Sequence, residues 1–500
     1  MRLVKLTMLR KTELSAPLAL TIPSIFLFFA ASAQDNSPYS RYGLGNQAPT
    51  TNVTNRGMGG VAAAYSDPYT VNYANPASYS LFLSTQEPGS KKLNSGRVVF
   101  NIGADGQGRT LTDQSAQSKF TSPNLLFSHV MVGLPLRKNW GLAFGVRPLT
   151  NINYKIQKNG PLYDPTSGNL IDSASTLYEG QGGAFLGSLG TAVKFKTGKT
   201  QFLSLGFNAG YMFGSRDYNT RLSLYDSVTR YASAHYQDKT NLADFYFDAG
   251  LQYHFKASEK INVSLGAYGN WQQEIKTTRN TVAETFTYSA ETGYIPIDTA
   301  TSTSNIKGSL LYPASITGGF IIQKIGSGIT NEAGWLVGAD FTRNNWDQFR
   351  FEGTPDTAVR SNWQAKVGAE FHPAPKNNYF SRTSYRIGFF TGPDYIYTRQ
   401  TKIPILGITA GLGLPIANFN PQARNQASMV NLSFEYIKRG NNSNIIQENL
   451  SGCLLVSRLL IFGLVVKPST TRINTRLSLL FLLTRQMNIW HRYCVAQRYL

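Results

Sequence analysis

The sequence predicts an all-β fold, a transmembrane antiparallel barrel of about 14 strands with an N-terminal segment set inside its lumen. Three features carry that expectation. The chain opens on a basic, apolar, small-residue leader; apolar side chains alternate with polar or small ones along most of its length; and short turns alternate with long polar stretches.

The leader comes first. Arg2, Lys5, Arg10 and Lys11 precede a mostly apolar run over 16–29, and Ala31-Ser32-Ala33 follows it. This is the layout of a secretory signal peptide, residues 1–33, cut before Gln34. The apolar run, about 15 residues interrupted by Pro23, is shorter than the roughly 20 a spanning helix needs. The remaining chain holds no uninterrupted apolar run of about 18 residues, so any crossing of a membrane is expected to use strands.

The alternation is clearest over 201–213. Leu203, Leu205, Phe207, Ala209, Tyr211 and Phe213 fall on one face, and Ser204, Gly206, Asn208 and Gly210 on the other. The same two-residue period returns over 245–255, 261–271, 335–341, 363–371 and 429–436, with aromatic residues at many strand ends. A soluble sandwich and a lipid-facing barrel both satisfy this pattern; the connections separate them. Short polar turns at 136–139, 196–199, 256–260 and 373–378 alternate with long polar stretches near 105–122, 153–178, 215–242 and 275–306, read here as loops. Short turns on one side and long loops on the other are the asymmetry of an outer-membrane barrel, which places the protein in the cell outer membrane, among its lipids.

Thirteen strands are recognisable between residues 96 and 438. Single-chain bacterial barrels have even strand numbers, so a fourteenth is expected after the turn near Asn441. The composition changes at the same place. From Asn449 to Leu500 there is no acidic residue, and both cysteines, Cys453 and Cys494, fall there. The expected division is therefore leader 1–33, inserted segment 34–90, barrel 91–448, and a basic, Leu-rich tail 449–500 that reads as the product of a shifted frame. The leader and tail together carry half of the formal charge of +20, and the remaining basic residues are scattered, which argues against nucleic acid as a partner.

Reactive constellations are absent from the sequence. The five histidines, His129, His235, His254, His372 and His491, have no metal-ligand spacing among them, and no hydrolase or phosphate-loop pattern appears. Gly57, Gly59 and Ala62 match a dinucleotide fingerprint in letters only, because no strand precedes them and no acidic residue lies about 20 positions on. The chain is thus expected to be neither an enzyme nor a cofactor or metal protein. Asp248, Asp340, Lys366, Glu370 and Glu435 fall on the predicted inner face, where they either line a path or pair across the lumen.

The segment 34–90 is rich in Gly, Ala, Asn and Pro, too short for a domain and suited to close packing inside a wall. Gly43-Leu44-Gly45, Gly57-Met58-Gly59-Gly60-Val61-Ala62, Asp67 and Asn75-Pro76-Ala77 resemble the N-terminal hatch of the long-chain fatty-acid transporter family, the FadL-like outer-membrane proteins, and in particular its Bacteroidetes members. That resemblance implies a hatch gated at Gly43, Gly45, Gly57, Gly59, Gly60, Asp67, Asn75, Pro76 and Ala77. It also implies fourteen strands and passive uptake of hydrophobic small molecules. A second branch it resembles, the PorV-type barrels of type IX secretion, implies instead a scaffold that holds a secreted or surface protein. The inner positions, mostly Gly, Ser, Asn, Asp and Gln, fit an apolar substrate poorly.

Overall fold

The computed structural model describes residues 36–462 except 87–92, 114–117, 165, 225–231, 290, 292, 327–331, 375, 377, 399 and 417–427. The leader 1–33 and residues 463–500 of the tail lie outside the described residues.

Fourteen antiparallel strands close into a ring. They are β1 (Leu93–Asp113), β2 (Ser118–Arg137), β3 (Trp140–Pro148 and Thr150–Tyr163), β4 (Leu170–Lys196), β5 (Phe202–Leu224), β6 (Ser233–Lys256) and β7 (Ile261–Asn270 and Gln273–Ser289). There follow β8 (Gly293–Tyr312 and Ser315–Lys324), β9 (Gly334–Asn344), β10 (Asn362–His372), β11 (Ser384–Thr398), β12 (Thr401–Ile416), β13 (Ser428–Arg439) and β14 (Ile446–Phe462). Each pairs with the next, and β14 returns to β1 from Ile446 opposite Asp113 to Phe462 opposite Arg97. Closure removes both sheet edges, the condition for strands to sit in lipid without orphaned backbone groups.

The alternation decides which way each strand faces. On β5, Leu205, Phe207, Tyr211 and Phe213 are exposed on the outside, while Ser204, Asn208 and Met212 are buried within. The same division on β9 to β13 leaves Phe341, Val367, Phe389, Ile408 and Phe434 facing outward, as a lipid-facing wall requires.

The polar stretches read as loops are mostly strand. β1 and β2 pair out to Asp113 and Ser118, β3 and β4 to Tyr163 and Leu170, β5 and β6 to Leu222 and Ala234, and β7 and β8 to Ser289 and Gly293. Beyond the bilayer both faces of a ladder meet water, so the apolar alternation that marks a strand in lipid is no longer required there. β14 corrects a second expectation: it runs past Glu448 to Phe462, so the barrel includes the first part of the segment assigned to the tail.

One stretch of wall is incomplete. The inner piece of β3 pairs with β2 from Val146 opposite Val130 to Trp140 opposite Arg137, but the outer piece, past the bend at Leu149, pairs with β4. Its other side meets the N-terminal segment, where Asn46 and Gln47 pair with Asn151 and Thr150 and the Ser37 amide donates to the Asn153 carbonyl at 2.9 Å. The outer half of β2 therefore has no strand partner on the β3 side among the described residues. Pro123 lies on that half, and an edge is where a missing donor is tolerated.

Candidate functional site

Residues 51–82 are buried except for the half-buried 66–69 and Leu81, and the contacts of the N-terminal segment reach strands all around the ring. Close approach depends on missing side chains in the wall. A Cβ at Gly388 on β11 would lie 2.0 Å from the Gly59 amide nitrogen, and one at Gly266 on β7 would lie 2.0 Å from the Ala63 carbonyl oxygen. On the opposing surface Gly59 and Gly60 hold φ of +67° and +83°, a backbone that residues with a Cβ rarely adopt.

Polar bonds fix the segment between these glycines. Asn52 caps a one-turn helix, α1 (Val53–Arg56), its side chain accepting from the Asn55 amide. That helix aims Arg56 at two carboxylates: Nε and Nη2 donate to Glu435 Oε1 and Oε2 at 2.7 and 2.6 Å, and Nη1 donates to Asp105 Oδ2 at 2.8 Å. Burial alone would favour a neutral guanidinium, but Glu435 and Asp105 outweigh it and hold Arg56 more firmly protonated than a free one. Asp340 Oδ2 accepts from the Ala62 and Ala63 amides at 2.7 and 2.8 Å, and Thr409 Oγ1 accepts from the Gly59 amide at 2.9 Å.

Asn75 joins two turns to the wall. Its Oδ1 accepts from the Ala77 amide at 3.1 Å, capping a 3₁₀ turn over Pro76–Leu81, and its Nδ2 donates to the carbonyls of Ala63 and Leu251 at 2.6 and 3.2 Å. Pro76 supplies the fixed φ of a first helical position. Asp67 is a local turn former, accepting from the Tyr69 amide and the Thr70 hydroxyl. Gly43 and Gly45, with φ of +56° and +93°, belong to the outermost turn, where the Gly43 amide donates to Asp356 and the Tyr395 hydroxyl donates to the Gly45 carbonyl. Gly57 faces Gly411 on β12.

Three of the five charged lumen candidates thus lie at the N-terminal segment. Glu435 and Asp340 bond to it, and the Lys366 stem runs beside Gly60, where a Cβ would meet its Cδ at 3.6 Å. The other two pair within the wall. Glu370 accepts from Arg386 Nε at 2.6 Å and from His372, and Asp248 accepts from Asn208 at 2.7 Å. Arg56's partner Asp105 is not among the residues the sequence singles out, because the stretch from residue 105 onward reads as loop. The signal was present, since Asn101, Asp105 and Arg109 share one parity and all three are buried.

A second charged group lies nearer the outer end. Glu448, fully buried, accepts from Ser37 Oγ at 2.7 Å, Arg109 Nη1 at 2.8 Å and Arg439 Nη1 at 3.0 Å, while Arg439 also pairs with Asp394. Above it an apolar group of Tyr39, Leu44, Leu149, Trp346, Phe349 and Tyr395 covers the lumen, with Trp346 and Phe349 supplied by the β9–β10 connection. Between the two charged groups is a cavity of about 360 Å³. Its lining includes Arg56, Lys366 and Asp394, and also Leu126, Phe127, Ser128, Pro148 and Asn151, which border the incomplete stretch of wall between β2 and β3. Among the described residues no group of three or more His, Cys, Asp or Glu is placed to hold a metal.

No curated protein matches the chain in sequence. Among solved structures it is similar to the CymD monoaromatic hydrocarbon channel, with 13% identity over 84% of this chain and 99% of that one and a TM-score of 0.44. It is similar also to a Pseudomonas aeruginosa FadL homologue, with 11% identity over 83% and 98% and a TM-score of 0.47. The Pseudomonas putida toluene transporter TodX gives 14% identity over 83% and 98% and a TM-score of 0.45. The sequence model of the BamG family matches residues 8–456, nearly the whole barrel with its N-terminal segment, and the chain belongs to that family.

Proposed function

We propose that this barrel passes small hydrophobic or amphiphilic compounds across the outer membrane, with residues 34–90 acting as a hatch that bars the lumen. The observation that carries the reading is the mid-lumen cavity beside the incomplete wall between β2 and β3. Compounds dissolved in the bilayer meet an interior space there without crossing the capped outer end, and the bonds of Arg56, Asp340 and Thr409 hold the inner exit closed. The test is flux of hydrophobic probes through the purified protein in liposomes. Ser128→Trp, which fills the cavity at the wall, should reduce flux, and a hatch cross-linked to the wall should abolish it; unchanged flux in both overturns the reading.

A second reading is favoured by the density of the hatch contacts: a barrel sealed this firmly suits a scaffold for a secreted or surface protein. It predicts a protein that co-purifies with the barrel and no flux of any probe. The abrupt composition after Glu448 supports a shifted frame for the tail, tested by translating the gene in its other two frames from that codon.

A further inference from the structure

Charge is distributed unequally between the two ends of the barrel. The five inner turns over 136–139, 196–201, 256–260, 324–333 and 372–383 hold nine Lys or Arg against two acidic residues, Glu259 and Glu332. The four long outer hairpins over 105–122, 153–179, 215–242 and 275–307 hold eleven of each sign. Basic residues that lie singly along the sequence are thus brought together at the inner rim, because every second connection of an up-and-down barrel returns to the same end. At that rim Glu332 takes Lys260 and Lys324, each at 3.0 Å. The other seven cations have no ion pair among the described residues, and Arg137, Lys138, Lys196, Lys199 and Lys256 among them are exposed. On the outer hairpins, by contrast, Glu179 takes both Lys155 and Arg221, and Arg279 joins Asp238 and Glu352.

Lipid-facing aromatic side chains stand beside these cations. The Arg137 guanidinium carbon is 5.5 Å from the centre of the Trp140 ring, and Trp140 Nε1 donates to Thr191 Oγ1 at 2.7 Å. Phe195 precedes Lys196, Phe255 precedes Lys256, and Trp335 lies opposite Lys324 on the neighbouring strand. Phe195 and Trp335 are exposed, as is Phe380, which shares its turn with Lys376 and Arg382. Rings with flanking cations at strand ends suit the boundary where hydrocarbon gives way to headgroups.

We propose that the inner rim binds anionic phospholipid of the inner leaflet, its phosphodiester headgroups lying against the turn cations. The inference concerns the wall and goes beyond passage through the lumen, on which it does not depend. Surface cations without carboxylate partners attract anionic headgroups within a Debye length. The surplus is spread over turns around the ring and set beside lipid-facing rings, so a surrounding leaflet meets all of it. An acidic soluble protein would cover only the tips of the turns.

The test uses the full barrel in phosphatidylcholine vesicles, with trace spin-labelled phosphatidylglycerol or phosphatidylcholine as the probe. The fraction of each label immobilised at the barrel gives its relative affinity. Phosphatidylglycerol should be favoured about 3-fold or more at low salt, and the preference should vanish near 1 M salt, where the Debye length is about 3 Å. The combined variant Lys138→Gln, Lys196→Gln, Lys199→Gln, Lys256→Gln should bring the two lipids to parity, and arginine at the same four positions should keep the preference. Lys119→Gln, Lys158→Gln, Lys239→Gln, Lys307→Gln, which removes as much charge from the outer hairpins, should leave it unchanged. Equal immobilisation of the two labels by the wild type, the result if the cations are only solvated or serve an acidic protein, overturns the inference. So does a preference that survives the inner variant or falls equally in the outer one.

Discussion

The Arg56 guanidinium lies flat against the Glu435 carboxylate with two hydrogen bonds of 2.7 and 2.6 Å, joining a one-turn helix near the N-terminus to the thirteenth strand of the barrel. The pair and the adjoining Asp105 are buried, so neither sign of charge has water to fall back on. Removing one side of such a pair strands the other, which costs about 3 to 5 kcal/mol. Arg56→Met should therefore loosen residues 52–82, seen as faster amide exchange there with the strands unchanged. The combined variant Arg56→Met, Glu435→Gln, Asp105→Asn should recover much of the protection, because no stranded charge remains. Equal protection in wild type and Arg56→Met would show that the pair does not hold the segment.

Wall glycines make a second, steric prediction. Gly388→Ala sets a methyl 2.0 Å from the Gly59 nitrogen and 2.2 Å from the Met58 carbonyl carbon, both backbone atoms that cannot swing away. Overpacking of this kind costs about 1 to 3 kcal/mol. Gly318→Ala on β8, whose added carbon meets nothing within 4 Å, is the control and should leave the melting temperature unchanged. The difference between the two melting curves reads the fit of the N-terminal segment to the wall.

Asp340 isolates the contribution of a hydrogen-bond acceptor. Its carboxylate accepts from two successive amides, so Asp340→Ala leaves both buried donors unpaired at a cost of roughly 1 to 3 kcal/mol. Asp340→Asn keeps an acceptor oxygen and should lose less. Exchange rates of the Ala62 and Ala63 amides are the direct measurement, and identical rates in the two variants would contradict the assignment.

Chain length at the C-terminal side gives a fourth. A stop after Phe462 keeps the ladder between β14 and β1, whereas a stop after Glu448 removes nearly all of it and leaves β13 and β1 with unpaired edges in lipid. The first truncation should yield a heat-modifiable, folded species on electrophoresis, and the second should not.

How much of this was legible follows from where each residue sits. β5, β9 and β10 were readable because lipid on one side and a packed lumen on the other force opposite polarities at neighbouring positions. The outer ladders, such as β7 with β8 from Thr281 to Ser289, were not, since water on both faces imposes no such contrast. Glu435, Asp340 and Lys366 could be placed on the inner face by parity. That Glu435 meets Arg56, separated from it by nearly the whole barrel, could not, because parity gives a direction and no height along the strand.

By itself the sequence determined that this is a strand-built membrane protein with an N-terminal segment unlike its wall, since burial in lipid dictates a period and close packing dictates small residues. Only the tertiary structure decided the bend at Leu149 that leaves the outer half of β2 without a strand partner on the β3 side among the described residues, the sharing of Arg56 between Asp105 and Glu435, and the burial of Glu448 among arginines. Each of these depends on the stagger of strands around a closed ring. That stagger is set by backbone ladders between residues far apart in the chain, and no local pattern records it.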